Sequence, residues 1–280
     1  MGLRIQTNVP SMVAQNNLSM TRTALDKSLE RLSSGLRINH AGDDASGLAI
    51  SETLRAQTRG LSQAERNTQD GISVLQIAEG GLSEVAQILT RLRELGVQAA
   101  SDTVGNMERG FLNIEFQQLL EEIDRIARTT EFNNNPLLDG SLRSLQIQMG
   151  THNDPALDRI QVFSPHVVDV NTTALGINSS GVSTKRGAQN SLQSIDFAIE
   201  SISGIRSELG AMQARLQSTL NHMAITKENL THATSRIRDM DLAEEASAMT
   251  KNQILMQTGV AVLAQTNNIS KSILSLLGQD

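Results

Sequence analysis

The sequence has no cysteine, no tryptophan and no tyrosine, and aromatic residues make up only 2% of its 280 positions. Without cysteine there are no disulfides, no thiolate metal sites and no thiol nucleophile. Scarce aromatics count against a small-molecule cleft, where large rings supply much of the contact area. They point instead to long, thin helix-on-helix packing by Leu, Ile, Ala and Met. A net charge of −6, with both signs interspersed, leaves no basic footprint for nucleic acid. No apolar run approaches the ~18 residues that a membrane-spanning helix needs. The opening "MGLRIQTNVPSMVAQNN" carries one Arg and no apolar stretch, so it does not read as a secretory signal. On composition alone the chain reads as cytosolic, and it is long enough for one or two domains with a substantial core.

What is present in abundance is a heptad rhythm. From Ile195 the positions Ala198, Ile202, Ile205, Leu209, Met212, Leu216, Thr219, Met223, Thr226, Leu230, Ala233, Ile237 and Met240 follow alternating steps of three and four. Such a seam predicts a helix of roughly 70 Å at about 1.5 Å per residue. A partner seam runs from Leu54 through Ala64, Thr68, Gly71, Leu75, Ala78, Leu82, Val85, Leu89 and Leu92 to Gly96 and Ala99. A shorter third one holds Leu112, Phe116, Leu119, Ile123 and Ile126. The fold class that follows is mainly α: a long antiparallel coiled-coil or helix-bundle rod.

The chain ends differ. Leu18, Leu25, Leu29, Leu32 and Leu36 form a short seam, and Leu255, Val262, Ile269, Ile273 and Leu276 form another near the C terminus. Ile254, Val260 and Leu263 flank the second, so that segment is apolar on more than one face, and such a helix needs burial all round. Two terminal helices would pair with each other and then with copies of themselves, giving self-associating ends. In the middle, "LQIQMGTHNDPALDRIQVFS" alternates at Leu145, Ile147 and Met149 and again at Ile160 and Val162 around a turn-rich centre, which predicts a β-hairpin. Residues 164–184 read as a loop. Two Asn-x-Ser/Thr triplets, at Asn171 and Asn178, match the N-glycosylation pattern, a weak signal where the opening does not read as a secretory leader.

The stretch "SSGLRINHAGDDASGLAIS", residues 33–51, poses the sharpest chemical question. Asp43 and Asp44 are adjacent, which is the wrong spacing for a calcium loop, and no acid closes such a loop. Adjacent carboxylates also diverge, which is unsuited to a general acid/base pair, and two anions would repel a phosphate. His40 reads as solvated or capping. The arrangement fits a joint between two helices: Gly35 ends one, Asn39 and Asp43 or Asp44 offer capping oxygens, and Gly42 and Gly47 permit close approach. No nucleophile–base pair or ligand cluster suggests an enzyme, and no metal or cofactor is expected.

The same stretch, extended to "NNLSMTRTALDKSLERLSSGLRINHAGDDASGLAIS", resembles the N-terminal region of bacterial flagellins. The resemblance continues through "QAERNTQDGISVLQIAEGGLSEV", "LLEEIDRIARTTEFNNNPLLDG" and "TALGI". It resumes at "SELGAMQARLQSTL", "ENLTHATSRIRDMDLAEEASAMTKNQILMQTGVAVLAQTNN" and "ILSLLG". Flagellins polymerise into the helical flagellar filament that drives swimming. The resemblance implies an inner-core domain from residues 1–44 and 238–280 and an outer-core domain from 45–237, with Gly35, Asn39, Gly42, Asp43, Asp44 and Gly47 in the spoke between them. Residues 164–184 stand where many members insert variable outer domains.

By the same resemblance the partners would be further copies of the chain, the flagellar export chaperone and secretion apparatus, and the hook-associated junction and cap proteins. The chain would end outside the cell, exported without a cleaved signal peptide. Members recognised by the vertebrate innate receptor for flagellin carry Arg, Leu and Glu at the positions of Arg91, Leu95 and Glu115, which are therefore expected to share a face that contacts a receptor or a neighbouring subunit. Two other readings stand beside this one. A hook–filament junction protein shares the N-terminal pattern, and a soluble signalling coiled coil would show long seams without a β-interruption.

Overall fold

A computed structural model describes residues 8–141, 144–151, 154, 158–163 and 169–277. Five helices carry most of the chain: α1 (Val9–Ser34), α2 (Ala45–Ala100), α3 (Asn106–Thr129), α4 (Lys185–Arg238) and α5 (Leu242–Leu277). Between α3 and α4 lie two antiparallel strand pairs, β1 (Glu131–Phe132) with β2 (Asn135–Pro136) and β3 (Leu145–Gln148) with β4 (Arg159–Phe163). The chain divides into two compact units, Met1–Ala56 with Asn229–Asp280 and Gln57–Glu228, and α2 and α4 run through both.

In the Gln57–Glu228 unit, α2 and α4 lie antiparallel with their heptad seams facing inward. Leu75, Leu82, Leu89 and Leu92 of α2 meet Ile195, Ile202, Leu209 and Leu216 of α4, all buried. Ion pairs track the same ladder from Lys185–Asp102 (2.7 Å) through Arg93–Asp196 (2.7 Å) and Arg206–Glu79 (2.8 Å) to Lys227–Glu65 (2.7 Å). Helix α3 closes the core with Phe116, Leu120, Ile123 and Ala127. Leu112, Leu119 and Ile126, expected to share that seam equally, are only partly buried, so α3 is turned slightly from the predicted face. The expected hairpin is present as β3 and β4, pairing Ile147 with Ile160, and it tucks against α2 at Gly71, where a side chain would collide with Ile147.

The second strand pair has its signal in "EFNNNP": Asn133 (φ 50°) and Asn134 (φ 62°) form a two-residue turn with both residues left-handed, a conformation asparagine tolerates better than most. The described part of the loop, residues 169–184, is strapped to α3. Thr172 donates its N–H (2.8 Å) and hydroxyl (2.9 Å) to the Asp124 carboxylate, and the Val182 N–H donates to Asn113 Oδ1 at 2.9 Å. One triplet of the glycosylation pattern is thereby engaged: Thr172 is buried, and the Asn171 amide donates to the Asp139 carbonyl at 3.3 Å.

In the other unit α1 packs on α5. Helix α1 starts at the Asn8 cap and stops at Gly35, whose φ of 74° is the left-handed helix-ending conformation. Leu25 is buried, Leu18, Leu32 and Leu36 are half-buried, and Leu29 is exposed. On α5 the inward stripe is Asn252, Met256, Gly259, Leu263 and Thr266, and Leu255, Val262 and Ile269 are exposed. The C-terminal seam predicted from sequence therefore faces away from α1, because a helix apolar on several faces gives its period no unique inward side. The side chains of Ile273 and Leu276 lie outside the described residues. Met240 is likewise no part of the long seam. Helix α4 stops at Arg238 and Met240 sits in the link to α5.

Candidate assembly joint and contact face

The joint is a compact set of interlocking caps. After Gly35 the chain forms a short antiparallel bridge with the link between α4 and α5. Leu36 pairs with Asp239, the Arg37 N–H donates to the Arg238 carbonyl at 2.7 Å, and the Met240 N–H donates to the Gly35 carbonyl at 3.3 Å. Arg37 adds a bond from Nη2 to the Ile237 carbonyl at 2.7 Å. The link therefore supplies half of the joint, a half the sequence pattern did not announce. Ile38 is fully buried beneath it.

The two aspartates divide the work. Asp44 caps α2, its Oδ1 accepting the Gly47 N–H at 2.9 Å and the Ser46 hydroxyl at 2.9 Å. Those two bonds hold its carboxyl below the usual carboxylate range. Asp43 caps no helix. Its Oδ2 accepts the N–H groups of Asn39 and His40, both at 3.2 Å, and its Oδ1 pairs with Lys27 at 2.6 Å. The Lys27 bond first, then the two backbone donors, hold the Asp43 carboxyl far below its ordinary value. Asn39 offers no capping oxygen here; its amide donates to Ser34 Oγ at 2.9 Å. Exposed His40 sits 3.1 Å from Glu30. Gly47 is buried, and a side chain there would strike both Asp44 and Ile38. Gly42 has open space around it, so close approach is no reason for that glycine.

The structure brings Arg91 and Glu115 together across α2 and α3. Arg91 Nε and Nη2 both donate to Glu115 Oε1, at 3.0 and 2.8 Å, and Nη1 donates to Glu94 at 2.9 Å. Glu115 first, then Glu94, raises the Arg91 pKa further. Leu95 does not share this face. It is wholly buried, because α3 covers the side of α2 on which it lies. Beside Glu115 an apolar strip of α3 is open to solvent: Met107, Phe111 and Ile114 are 78%, 65% and 63% exposed.

Sequence reasoning missed Arg109, a buried guanidinium at the corner between α2 and α3. Nε donates to the Ala99 carbonyl (2.8 Å), Nη2 to the Ser101 carbonyl (2.9 Å) and Nη1 to Asn106 Oδ1 (2.9 Å). It supplies a donor to the Ala99 carbonyl in the last turn of a 56-residue helix and a second donor to the Ser101 carbonyl just beyond it, which also accepts the Val104 N–H at 3.4 Å. A half-open cleft between α1 and α5 is lined by Lys27, Arg31, Arg37, Asp241, Glu244 and Glu245. Asp241 there caps α5 through the Ala243 and Glu244 N–H groups, and Glu245 pairs with Arg31 at 3.3 Å. Among the described residues no cluster of three His, Cys, Asp or Glu could hold a metal ion, and no helix is long and apolar enough to cross a membrane.

Comparison with known proteins places this architecture. Residues 5–143 match the bacterial flagellin N-terminal helical region, and residues 192–277 match the bacterial flagellin C-terminal helical region. The chain is 44% identical to a flagellin of Halalkalibacterium halodurans, over 98% of this chain and 99% of that protein. It is 41% identical to the flagellar filament 33 kDa core protein of Treponema phagedenis, with coverage of 98% and 99%. The fold also matches a solved putative flagellar hook-associated protein from Vibrio parahaemolyticus, with a TM-score of 0.58 at 11% identity over 70% of this chain and 100% of that one. Two flagellin regions that together cover most of the helical sequence, with relatives matched end to end, show that the chain belongs to the bacterial flagellin family.

Proposed function

We infer that this chain is a structural subunit that polymerises into the helical filament of the bacterial flagellum. The observation that carries the reading is identity of 41–44% to a flagellin and to a flagellar filament protein along 98% of the chain. The family is one of structural proteins. A hook–filament junction role has a shared fold at 11% identity behind it and is not favoured. A signalling coiled coil would lack the β3–β4 interruption.

Within this reading, residues 1–44 and 238–280 are the inner core of the filament, residues 45–237 the outer core, and residues 33–51 the connection. Two observations support the division. The outward stripes of α1 and α5 carry exposed Val9, Met12, Val13, Met20, Leu255, Val262 and Ile269. Residues 8–21 and 252–269 also contain no ionisable side chain, so copies can bury one another there without desolvating charge. The chain works outside the cell, delivered unfolded by the flagellar export chaperone and secretion apparatus without a cleaved signal, and it meets the hook-associated junction and cap proteins at the filament ends. The Arg91–Glu115 face is a subunit contact that the vertebrate innate receptor engages when it is free. Electron microscopy of concentrated purified protein tests the central reading. Filaments of uniform width are expected, and persistent monomer under every growth condition would overturn it.

A further inference from the structure

Methionine is the apolar side chain whose polarity a mild oxidant can change, and the fold sorts the methionines by access. Met149 and Met223 are buried, and Met212, Met240, Met249 and Met256 are partly covered. Met12, Met20 and Met107 are 61%, 60% and 78% exposed. The first two lie on α1. The side of α1 toward α5 holds Ser11, whose hydroxyl donates to Asn267 Oδ1 at 3.0 Å, Leu18, which a side chain on Gly259 would meet, and buried Leu25. Met20 is two and a half turns beyond Ser11, so it stands on the opposite side with Val9 and Val13, and Met12 flanks that stripe.

The chemistry of the stripe makes a thioether there consequential. Residues 8–21 hold no ionisable side chain, and Val9, Val13 and Met20 are all exposed. Covering the stripe withdraws apolar area from water and desolvates no charge. A sulfoxide at Met20 alters that balance, because its oxygen is a strong acceptor that loses its water when the stripe is covered. The neighbouring hydroxyls cannot compensate: Thr21 and Thr23 already donate to the Asn17 and Ser19 carbonyls, at 2.9 and 3.1 Å.

We propose that Met12 and Met20 are oxidation sites of the free chain and that their sulfoxides block its assembly. Hydrogen peroxide is the oxidant. One of its oxygens bonds to the sulfur through a sulfur lone pair, the O–O bond breaks, and the peroxide leaves as water while the thioether becomes a sulfoxide. A thiol-dependent sulfoxide reductase reverses the step: two thiols supply two electrons, the oxygen departs as water, and the thiols become a disulfide. Oxidation thus turns a flexible apolar side chain into a polar one within the stripe that α1 offers to other copies. Once the stripe is covered the sulfur is out of reach, so the sensitive period ends with incorporation. The proposal rests on the filament-subunit reading, with the terminal helices inside.

A full-length Met107→Leu chain removes the third exposed thioether. Its monomers, treated with dilute hydrogen peroxide and mapped by peptide mass spectrometry, are expected to carry sulfoxide at Met12 and Met20 while Met149 and Met223 stay reduced. Filament growth in light scattering is then expected to slow at least about tenfold, the effect of one buried acceptor left without a partner. Sulfoxide reductase with dithiothreitol is expected to restore it. A chain carrying Met12→Leu, Met20→Leu and Met107→Leu should grow equally well before and after peroxide, and wild-type filaments at the same dose should keep Met20 reduced. Untreated wild type that never polymerises fails the subunit reading itself. Given wild-type growth, four results each overturn the proposal: undiminished growth with both sulfoxides present, growth that stays slow after their reduction, equal loss in the triple-leucine chain, or Met20 oxidising as fast in filaments as in monomers.

Discussion

Replacing Arg109 with methionine keeps most of the buried stem and removes three hydrogen bonds from a 7%-exposed guanidinium. The Ala99 carbonyl then loses its side-chain donor at the C-terminal end of a long helix, where carbonyl partial charge accumulates, and the Ser101 carbonyl keeps the Val104 N–H at 3.4 Å. Each buried polar group left without a partner costs about 1–3 kcal/mol, and the Arg109 bonds carry a formal charge, which places them toward the stronger end. The methionine recovers part of this, since no charge is then desolvated, so a net loss of ~2–4 kcal/mol is expected. For a unit of this size that lowers the melting temperature by roughly 5–12 °C. Arg128→Met is the matched control: Arg128 is exposed and among the described residues donates only to the Asp124 carbonyl at 3.2 Å, so its change should stay within about 0.5 kcal/mol. Thermal and urea unfolding of the full chain, followed by circular dichroism, measure both variants. Equal midpoints for the two would refute the claim that the corner depends on its buried cation.

Leu216→Asp puts a carboxylate into a fully buried seam position and should cost several kcal/mol, whereas Gln217→Asp on the exposed side should melt like wild type; indistinguishable curves would mean the seam register is wrong. Asp43 and Asp44 have depressed pKa values in the fold, so they stabilise it fully above the ordinary carboxylate value near ~3.9, and that stabilisation drains away as pH falls below it; in an acid titration of unfolding Asp43→Asn should flatten this limb, and an unchanged limb would remove the joint from the account. Removal of residues 1–44 and 238–280 should leave a helical monomer that cannot polymerise, and growth of filaments by the truncated protein in light scattering would contradict the division of labour. Depolymerised protein should activate the innate receptor in reporter cells and cross-linked filaments should not, with Arg91→Ala or Glu115→Ala monomers weakened; equal signals from monomer and filament would sink this reading.

The heptad seams of α2 and α4 were legible because each presents one apolar stripe, and every position from Ala64 to Leu92 in the α2 seam is buried. The same rule failed where the stripe is not unique. On α5 the three-four rhythm picks out Leu255, Val262 and Ile269, yet the helix packs through Met256, Gly259 and Leu263, since apolarity on several sides leaves the choice to the partner. Met240 fits the α4 rhythm, but hydrogen bonds to the joint stop the helix at Arg238. Leu95 looked like a flank of the seam because periodicity sees one partner helix; with α3 packed on the other side, that flank becomes core. Arg109 gave no warning, because an arginine that caps two segments at once has no spacing of its own. In the joint, the residue types pointed to a helix junction, while the roles of the two adjacent aspartates depended on backbone directions that composition does not carry.

Burial is distributed unevenly between the two units, and this bears on where assembly energy resides. The Gln57–Glu228 unit fills its own core with leucine, isoleucine and valine from three helices and a hairpin. Along α1 the one buried aliphatic side chain is Leu25, and along the described side chains of α5 there is none. Each large aliphatic side chain withdrawn from water contributes about 1.5–3 kcal/mol, so the α1–α5 pair gains little from its own packing. What it keeps instead is exposed: Val9, Met12, Val13 and Met20 on one helix, Ile254, Leu255, Val260 and Val262 on the other. Covering these with the same helices of neighbouring copies removes apolar area from water and desolvates no charge, because neither residues 8–21 nor 252–269 hold any. Under the proposed assembly, the unit with the least core of its own gains the most from each added copy.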